Sequence, residues 1–572
     1  MATVPQRAAV PVEIAPAAEG RARRALAFAW PPLAYAALAL AFWGPWVLDH
    51  PRATILGAND VDPSVYLWFF AWWPHALAHG LNPFLTHLIF VPEGFNLTWT
   101  VSMPGPSLLL APITLTLGDV ATWNAIMFAA PVLAAWTAYA LCRHLCGAAL
   151  PAFVGGYVFG FSPYVLSQMQ GAPQLALVGL VPLLVLLVVR PVEGSLSDRT
   201  FVVGVTVVVA AQLLVSTEVL ATTAFFGAFT LAVAWWRLPE RRAAVQRTAG
   251  RLALGGAAAA VVVSPILYYL LFGHRTLPEH ALEAFPADLL SLVVPGALVA
   301  ASPERVGGSV PSWATDGAYL GVPLLILVGL FAWRRRQSRR AQVLLAAFAA
   351  AAVFSLGRTL VVGGHDTNVP MPWTPFAELP FLRYAIPLRF TVYAFLAAAV
   401  IVALVLARRP GAGTWALAAV VVLSIVPTIG SSAWHTPLSD PPFFAADRAQ
   451  QVLGERDHVL TIPAWGRNMR WQSRADFAYA MATGYTGAFP ASYSRFEIYN
   501  RILGAGLIPG VARDTPESRA ELRRFIAAKG VTVIVVQDAF AAEWAPLLGT
   551  LGARPVREDG VVVYRLKGAP PS

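Results

Sequence analysis

The chain has 572 residues, of which 57% are hydrophobic and only 13% charged, and its mean hydropathy is +0.60. That balance lies outside the range of soluble domains and points to a membrane protein. The net charge of +10 comes mostly from arginines beside apolar stretches, where anionic lipid accounts for it, so it does not argue for nucleic acid as a partner.

A polar amino-terminal tail, 1–24, leads into eleven apolar stretches at about 25–48, 121–142, 148–164, 171–189, 200–216, 218–236, 252–272, 317–333, 341–356, 388–407 and 413–430. Each is read as a transmembrane helix, although several are short for a hydrocarbon core of about 30 Å. The first lacks a small-residue cleavage site behind it and reads as a retained anchor rather than a signal peptide. Arginines fall on alternate loops. Nineteen before residue 430 lie on one side, in the groups 7–24, 143–199, 237–251, 334–340 and 408–409, against six on the other, Arg52, Arg275, Arg305, Arg358, Arg383 and Arg389. The positive-inside rule then places the amino terminus in the cytoplasm, and an odd number of spans exports the carboxyl end. The expected location is the cell (inner or plasma) membrane.

Three outer loops are long, 49–120, 273–316 and 357–387, whereas the inner loops are short and basic; binding chemistry is therefore expected on the outer face. In the first loop Pro104 to Leu117 is too short and too broken to span and reads as an interfacial helix, while Trp68, Trp72 and Trp73 suit the headgroup level. After 430 the pattern changes. His458–Pro463, Val531–Val536 and Val561–Leu566 read as strands, and Thr515–Ala528 as a helix stopped by Gly530, so 431–572 is expected to be a small extracytoplasmic α/β domain with a partly parallel sheet. Cys142 and Cys146 supply no disulfide framework, so that domain is expected to stand on its own core.

Asp60 and Asp62 follow the first span in GANDVDPSVYLWFFAWW. A carboxylate there suits removal of a proton from an acceptor hydroxyl, and a turn or cap role is the alternative. Arg383 and Arg389, in FLRYAIPLRF, are outer-face arginines in a chain that keeps arginines inside. A guanidinium fork suits a phosphate, and a snorkelling anchor is the alternative. Arg358 and His365 share that loop and either could help hold a phosphate; a solvated loop is the other reading. His75 and His79 lie one turn apart and read as hydrogen-bonding groups before metal ligands. Glu218 is placed at an outer turn between two spans, Glu93 is another outer acid, and Asp316 is expected to cap the eighth span. Walker, GxSxG and HExxH motifs do not occur in the sequence.

Together DPSVYLWFFAWWPHAL, HGLNPFLTHLIFVPEGFNLTW, YALCRHL, the Ser162–Tyr164 SPY motif, DGAYLG at Asp316–Gly321 and LPFLRYAIPLRF at Leu379–Phe390 resemble bacterial GT-C glycosyltransferases over nearly the whole chain. The resemblance implies a mainly α, polytopic transmembrane bundle of about eleven spans at 25–430. It also implies inverting transfer of a hexose or pentose from a polyprenyl-phosphate sugar donor to a glycan, lipid or protein acceptor of the cell envelope. Asp62, with Asp60 second, would act as base or orient the acceptor. Arg389, then Arg383, with Arg358 and His365 as further candidates, would hold the lipid phosphate. No cofactor is required, though Asp60 with Asp62 leaves room for a divalent cation. The competing reading is a non-catalytic lipid-linked saccharide transporter or flippase. Internal repeats and mid-bilayer charges, which a carrier would need, are not evident in the sequence.

Overall fold

A computed structural model describes residues 17–273, 277–278, 285–302, 316–379, 382–408, 411–429, 432–505, 508 and 510–566. Among them, six helices are long and apolar enough to cross a membrane: Asp119–Cys146, Ala149–Gln168, Pro173–Glu193, Asp198–Val215, Thr217–Arg237 and Pro387–Arg408. A seventh arises if Pro239–Val262 and Ser264–Phe272, bent by 82° at their junction, form one broken span. The chain is thus a multi-pass membrane protein. Helices Ala17–Val47, Val322–Arg335, Arg339–Phe354 and Ala412–Ser424 cover the remaining expected stretches but fall outside that set. Three of these four have 13 to 16 residues, and at about 1.5 Å per residue they reach only about 20–24 Å. By length and composition, six or seven of the eleven expected stretches qualify as spans among the described residues.

Small residues bring the central helices together. A Cβ at Gly155 would stand 2.7 Å from the Ala399 carbonyl and 2.9 Å from Cys142 Sγ, and one at Gly160 would stand 2.5 Å from Ala135. Helices Asp119–Cys146, Ala149–Gly160 and Thr391–Arg408 accordingly pack backbone to backbone, the usual solution where lipid supplies no hydrophobic drive between helices. Buried Cys142 belongs to this contact, which gives it a packing role.

Beyond the bundle, a five-stranded mixed sheet runs in the order Pro555–Glu558, Val561–Arg565, Val533–Gln537, His458–Ile462, Ala480–Met481. The first three neighbours pair antiparallel and the last three parallel. Helix Pro516–Lys529, N-capped by Thr515 and ended by left-handed Gly530, leads into Val533–Gln537 as the sequence leads one to expect. The expected independent core is not what forms. Helix Val61–Ala78 presents Val65, Trp68, Phe69, Trp72, Trp73 and Ala76 to the sheet's core and Tyr66, Leu67 and Phe70 to the bundle's core. Trp68, Trp72 and Trp73 are consequently buried rather than at a headgroup surface. Their indole N–H groups donate to Gln472 Oε1 at 2.8 Å, the Pro83 carbonyl at 3.1 Å and the Ser102 carbonyl at 3.0 Å. The same loop also extends the sheet edge, where Val91 N donates to Met481 O at 3.1 Å and Met481 N to Leu88 O at 2.8 Å. The segment expected to be interfacial divides into Pro104–Leu109 and Ala111–Leu117, with Leu109 and Leu115 exposed.

Candidate functional site

The aromatic helix begins where its sequence provides for a start. Asn59 Oδ1 accepts from Val61 N at 3.2 Å, and Ser64 Oγ donates to the Asp60 carbonyl. Pro63 stands in the first turn, where a missing N–H costs nothing. Asp62 occupies that same turn, at the positive end of the helix dipole. Its side chain is exposed yet crowded by protein on one side. Gly171 stands beside it: a Cβ there would lie 3.5 Å from Asp62 Cβ and 3.7 Å from its Oδ2. Burial by the surrounding protein pushes the Asp62 carboxyl above the usual carboxylate value, with the Arg389 charge opposing. A carboxyl so raised is a better proton acceptor than an ordinary surface aspartate.

Arg389 comes near Asp62 from a distant part of the sequence. The turn Pro387–Phe390 leads into helix Thr391–Arg408, and Thr391 Oγ1 donates to the Gly317 carbonyl at 3.0 Å, tying the turn to DGAYLG. Arg389 Nη1 donates to Glu218 Oε2 at 2.6 Å, and about a quarter of each side chain stays exposed. Glu218 sits in the first turn of Thr217–Arg237, whose N-cap Ser216 accepts from Val219 N at 3.3 Å. The guanidinium thus stands in the field of two carboxylates, Glu218, bonded directly, and Asp62, through its charge.

Aromatic hydroxyls and amides complete the surroundings. Tyr66 hydroxyl donates to Gln174 Oε1 at 2.7 Å, and burial, with the Asp62 charge adding, raises its phenol well above the ordinary value. Tyr164, in the SPY motif, is placed by Ser162, which accepts from Val165 N at 3.4 Å, and its hydroxyl donates to the Leu175 carbonyl at 3.2 Å. The Tyr393 hydroxyl meets Thr222 and Thr223 at 2.7 and 3.0 Å, one turn beyond Glu218. Gln170, next to Gly171, carries a side-chain amide whose oxygen and nitrogen are both buried without a partner among the described residues. Tyr66, Gln170, Gln174 and Tyr393 were not singled out from sequence; the signal was the run of glutamines in LSQMQGAPQL, polar groups in an otherwise apolar stretch.

The other expected site residues are engaged elsewhere. Asp60 is held by the tail: Arg467 Nη2 donates to its Oδ1 at 2.9 Å and Nε stands 2.8 Å from Oδ2. It is therefore tied to a cation, and among the described residues no three His, Cys, Asp or Glu side chains gather as metal ligands. Arg383 folds back over Tyr384, its guanidinium 4.7 Å from the ring centre and Nη2 2.5 Å from the hydroxyl. Arg358 pairs with Glu378 at 2.8 Å, and His365 stands on the exposed hairpin strand His365–Pro370. His79 Nδ1 lies 2.8 Å from the His75 carbonyl. Glu93 anchors the buried Lys529 at 2.6 Å. Asp316 does not cap Val322–Arg335, whose N-cap is Gly321. It lies instead against Ala297 and Leu298, where burial pushes its carboxyl up to about 6 despite their backbone hydrogen bonds.

Residues 32–427 match the model of a family described as Domain of unknown function (DUF6311), and the chain belongs to that family. No curated protein matches it in sequence. Among solved structures, it is similar to the archaeal oligosaccharyltransferase AglB from Archaeoglobus fulgidus, in complex with an inhibitory peptide and a dolichol-phosphate. There the identity is 11%, over 95% of this chain and 75% of that one, with a TM-score of 0.45. It is also similar to ArnT from Cupriavidus metallidurans bound to undecaprenyl phosphate, at 13% identity over 94% and 99% of the two chains, with a TM-score of 0.44.

Proposed function

We propose that this DUF6311 member is an integral membrane glycosyltransferase that moves a sugar from a polyprenyl-phosphate-linked donor to an acceptor hydroxyl at the extracytoplasmic face. The observation that carries the reading is that Arg389, remote in sequence, stands close enough to Asp62 for its charge to act on that carboxyl. Asp62, accessible and with a raised carboxyl, takes the acceptor proton as the new glycosidic bond forms. Arg389 faces the negative charge that the phosphate gains as the bond to the sugar breaks. Direct displacement by the acceptor gives inversion at the anomeric carbon. Glu218 holds Arg389 in place, and the unpartnered Gln170 amide is suited to a sugar or acceptor hydroxyl. Arg383, Arg358 and His365 take no part in this scheme, because Tyr384, Glu378 and an exposed hairpin account for their positions. The sequence resemblance to GT-C enzymes implies the same reaction.

The test is transfer itself. Purified protein in lipid, supplied with a panel of radiolabelled polyprenyl-phosphate sugars and an envelope extract as acceptor, is expected to release polyprenyl phosphate and label the acceptor with one of them. Donor movement across a vesicle without bond cleavage would overturn the reading in favour of a carrier.

A further inference from the structure

A groove lies at the far end of helix Thr391–Arg408 from Arg389. Helices Val322–Arg335, Thr391–Arg408 and Ala412–Ser424 enclose a groove of about 430 Å³, walled by Leu327, Leu330, Phe331, Leu404, Val405 and Leu417. Arg334, Arg335 and Arg408 stand at its mouth, each in the last turn of its helix. Arg389 just precedes the 18-residue helix Thr391–Arg408 and Arg408 ends it, so at about 1.5 Å per residue the groove lies about 27 Å along the helix from Arg389.

The arginines of the basic surface differ in their partners. Arg339 pairs with Glu240 and Arg251 with Asp198, and Arg241 and Arg242 donate to the Val192 and Trp235 carbonyls. Among the described residues, by contrast, no acidic side chain forms an ion pair with Arg334, Arg335 or Arg408, and Arg334 and Arg408 are exposed. Three uncompensated guanidinium groups therefore converge above an apolar slot. Gly411 and Gly413 line the same mouth, and a Cβ at either would meet nothing within 4 Å, so space remains for a headgroup there. Arginine at such a position binds phosphate oxygens in pairs while its stem lies along apolar surface.

From the apolar slot and its unpaired arginines, we infer a binding site for one anionic glycerophospholipid, its phosphate on Arg334, Arg335 and Arg408 and an acyl chain between the three helices. The slot accounts for the chain and the arginines for the phosphate, a combination that a free anion would use only in part. This inference does not depend on the glycosyl-transfer reading, because it concerns the far end of helix Thr391–Arg408.

Protein reconstituted with phosphatidylglycerol or phosphatidylcholine, then stripped with mild detergent, reports the lipid retained by native mass spectrometry. Retention of phosphatidylglycerol over phosphatidylcholine is expected. Arg334→Gln/Arg335→Gln/Arg408→Gln should lower it by about fivefold per arginine, the size of one basic side chain's attraction to an anionic membrane surface. Arg241→Gln/Arg242→Gln/Arg247→Gln removes equal charge at residues outside the groove and should leave retention unchanged. Gly413→Trp keeps every charge but fills the mouth, and should reduce retention even if the triple variant does not fold. Equal losses in both triple variants, equal retention of the two lipids, or full retention by Gly413→Trp would each overturn the site.

Discussion

Replacing Arg389 by alanine separates a phosphate clamp from a membrane anchor. The guanidinium donates to Glu218 at 2.6 Å, and both side chains keep about a quarter of their surface, so the pair is partly desolvated but still within reach of a ligand. A hydrogen bond to a charged group contributes about 1.5–3 kcal/mol. If the phosphate takes a free edge of the fork, Arg389→Ala should weaken polyprenyl phosphate binding about 10- to 150-fold. Arg389→Lys should recover only part of that loss, since a point ammonium cannot hold Glu218 and a phosphate together in the planar geometry of the fork. Glu218→Gln is expected to cost less than Arg389→Ala, because the arginine remains and only its hold is loosened. Titrating purified protein in detergent with a polyprenyl phosphate of defined length, followed by calorimetry, measures all three. Unchanged affinity in Arg389→Ala, or full replacement by lysine, would refute the clamp and leave the arginine as an anchor.

Asp62→Asn should reduce transfer by about 10²- to 10⁴-fold, the usual loss of a general base, while leaving donor affinity intact; wild-type turnover would remove Asp62 from the scheme. Because the surroundings raise its carboxyl, wild-type turnover should rise with pH along a limb lying above the ordinary carboxylate value. Any residual activity of the asparagine variant should lack that limb in a pH–rate profile. Asp316, with its carboxyl raised from 3.8 to about 6, binds its proton more tightly folded than unfolded, so it lowers stability progressively as pH rises through that window. Asp316→Asn should therefore raise the melting temperature at pH 7 and change it little at pH 4; no gain at pH 7 would contradict the assignment. Single cysteines placed in 470–500 should react with an impermeant reagent added outside intact cells, and those in 334–340 should be spared, as the arginine asymmetry requires. The reverse pattern would invert the chain in the membrane.

The sequence makes the helical stretches and the strands after 430 legible because each carries its own periodicity: His458–Ile462, Val533–Gln537 and Val561–Arg565 lie where alternation and turn residues place them. The span count is less legible, since an apolar run of 13 to 16 residues has the composition of a span without its length. Pairings remote in sequence leave no local trace. Nothing near Asp60 announces Arg467, and nothing near Arg389 announces Glu218. The tryptophans mislead for a related reason: an indole suits both a headgroup layer and a core in which its N–H finds a partner, and for Trp68 that partner is Gln472, 404 positions away.

The aromatic helix also sets an order of events during synthesis. Val61–Ala78 leaves the ribosome early, but the larger part of the core that it shares, between residues 443 and 564, arrives late. At about 5–20 residues per second, Trp68 waits about 20–80 s for Gln472. Throughout that interval the aromatic face of the helix, whose rings each bury about 150–250 Å² in the finished fold, has from its own chain only the nearby loop residues Ile89, Phe90, Val91, Phe95 and Leu97 of the same core.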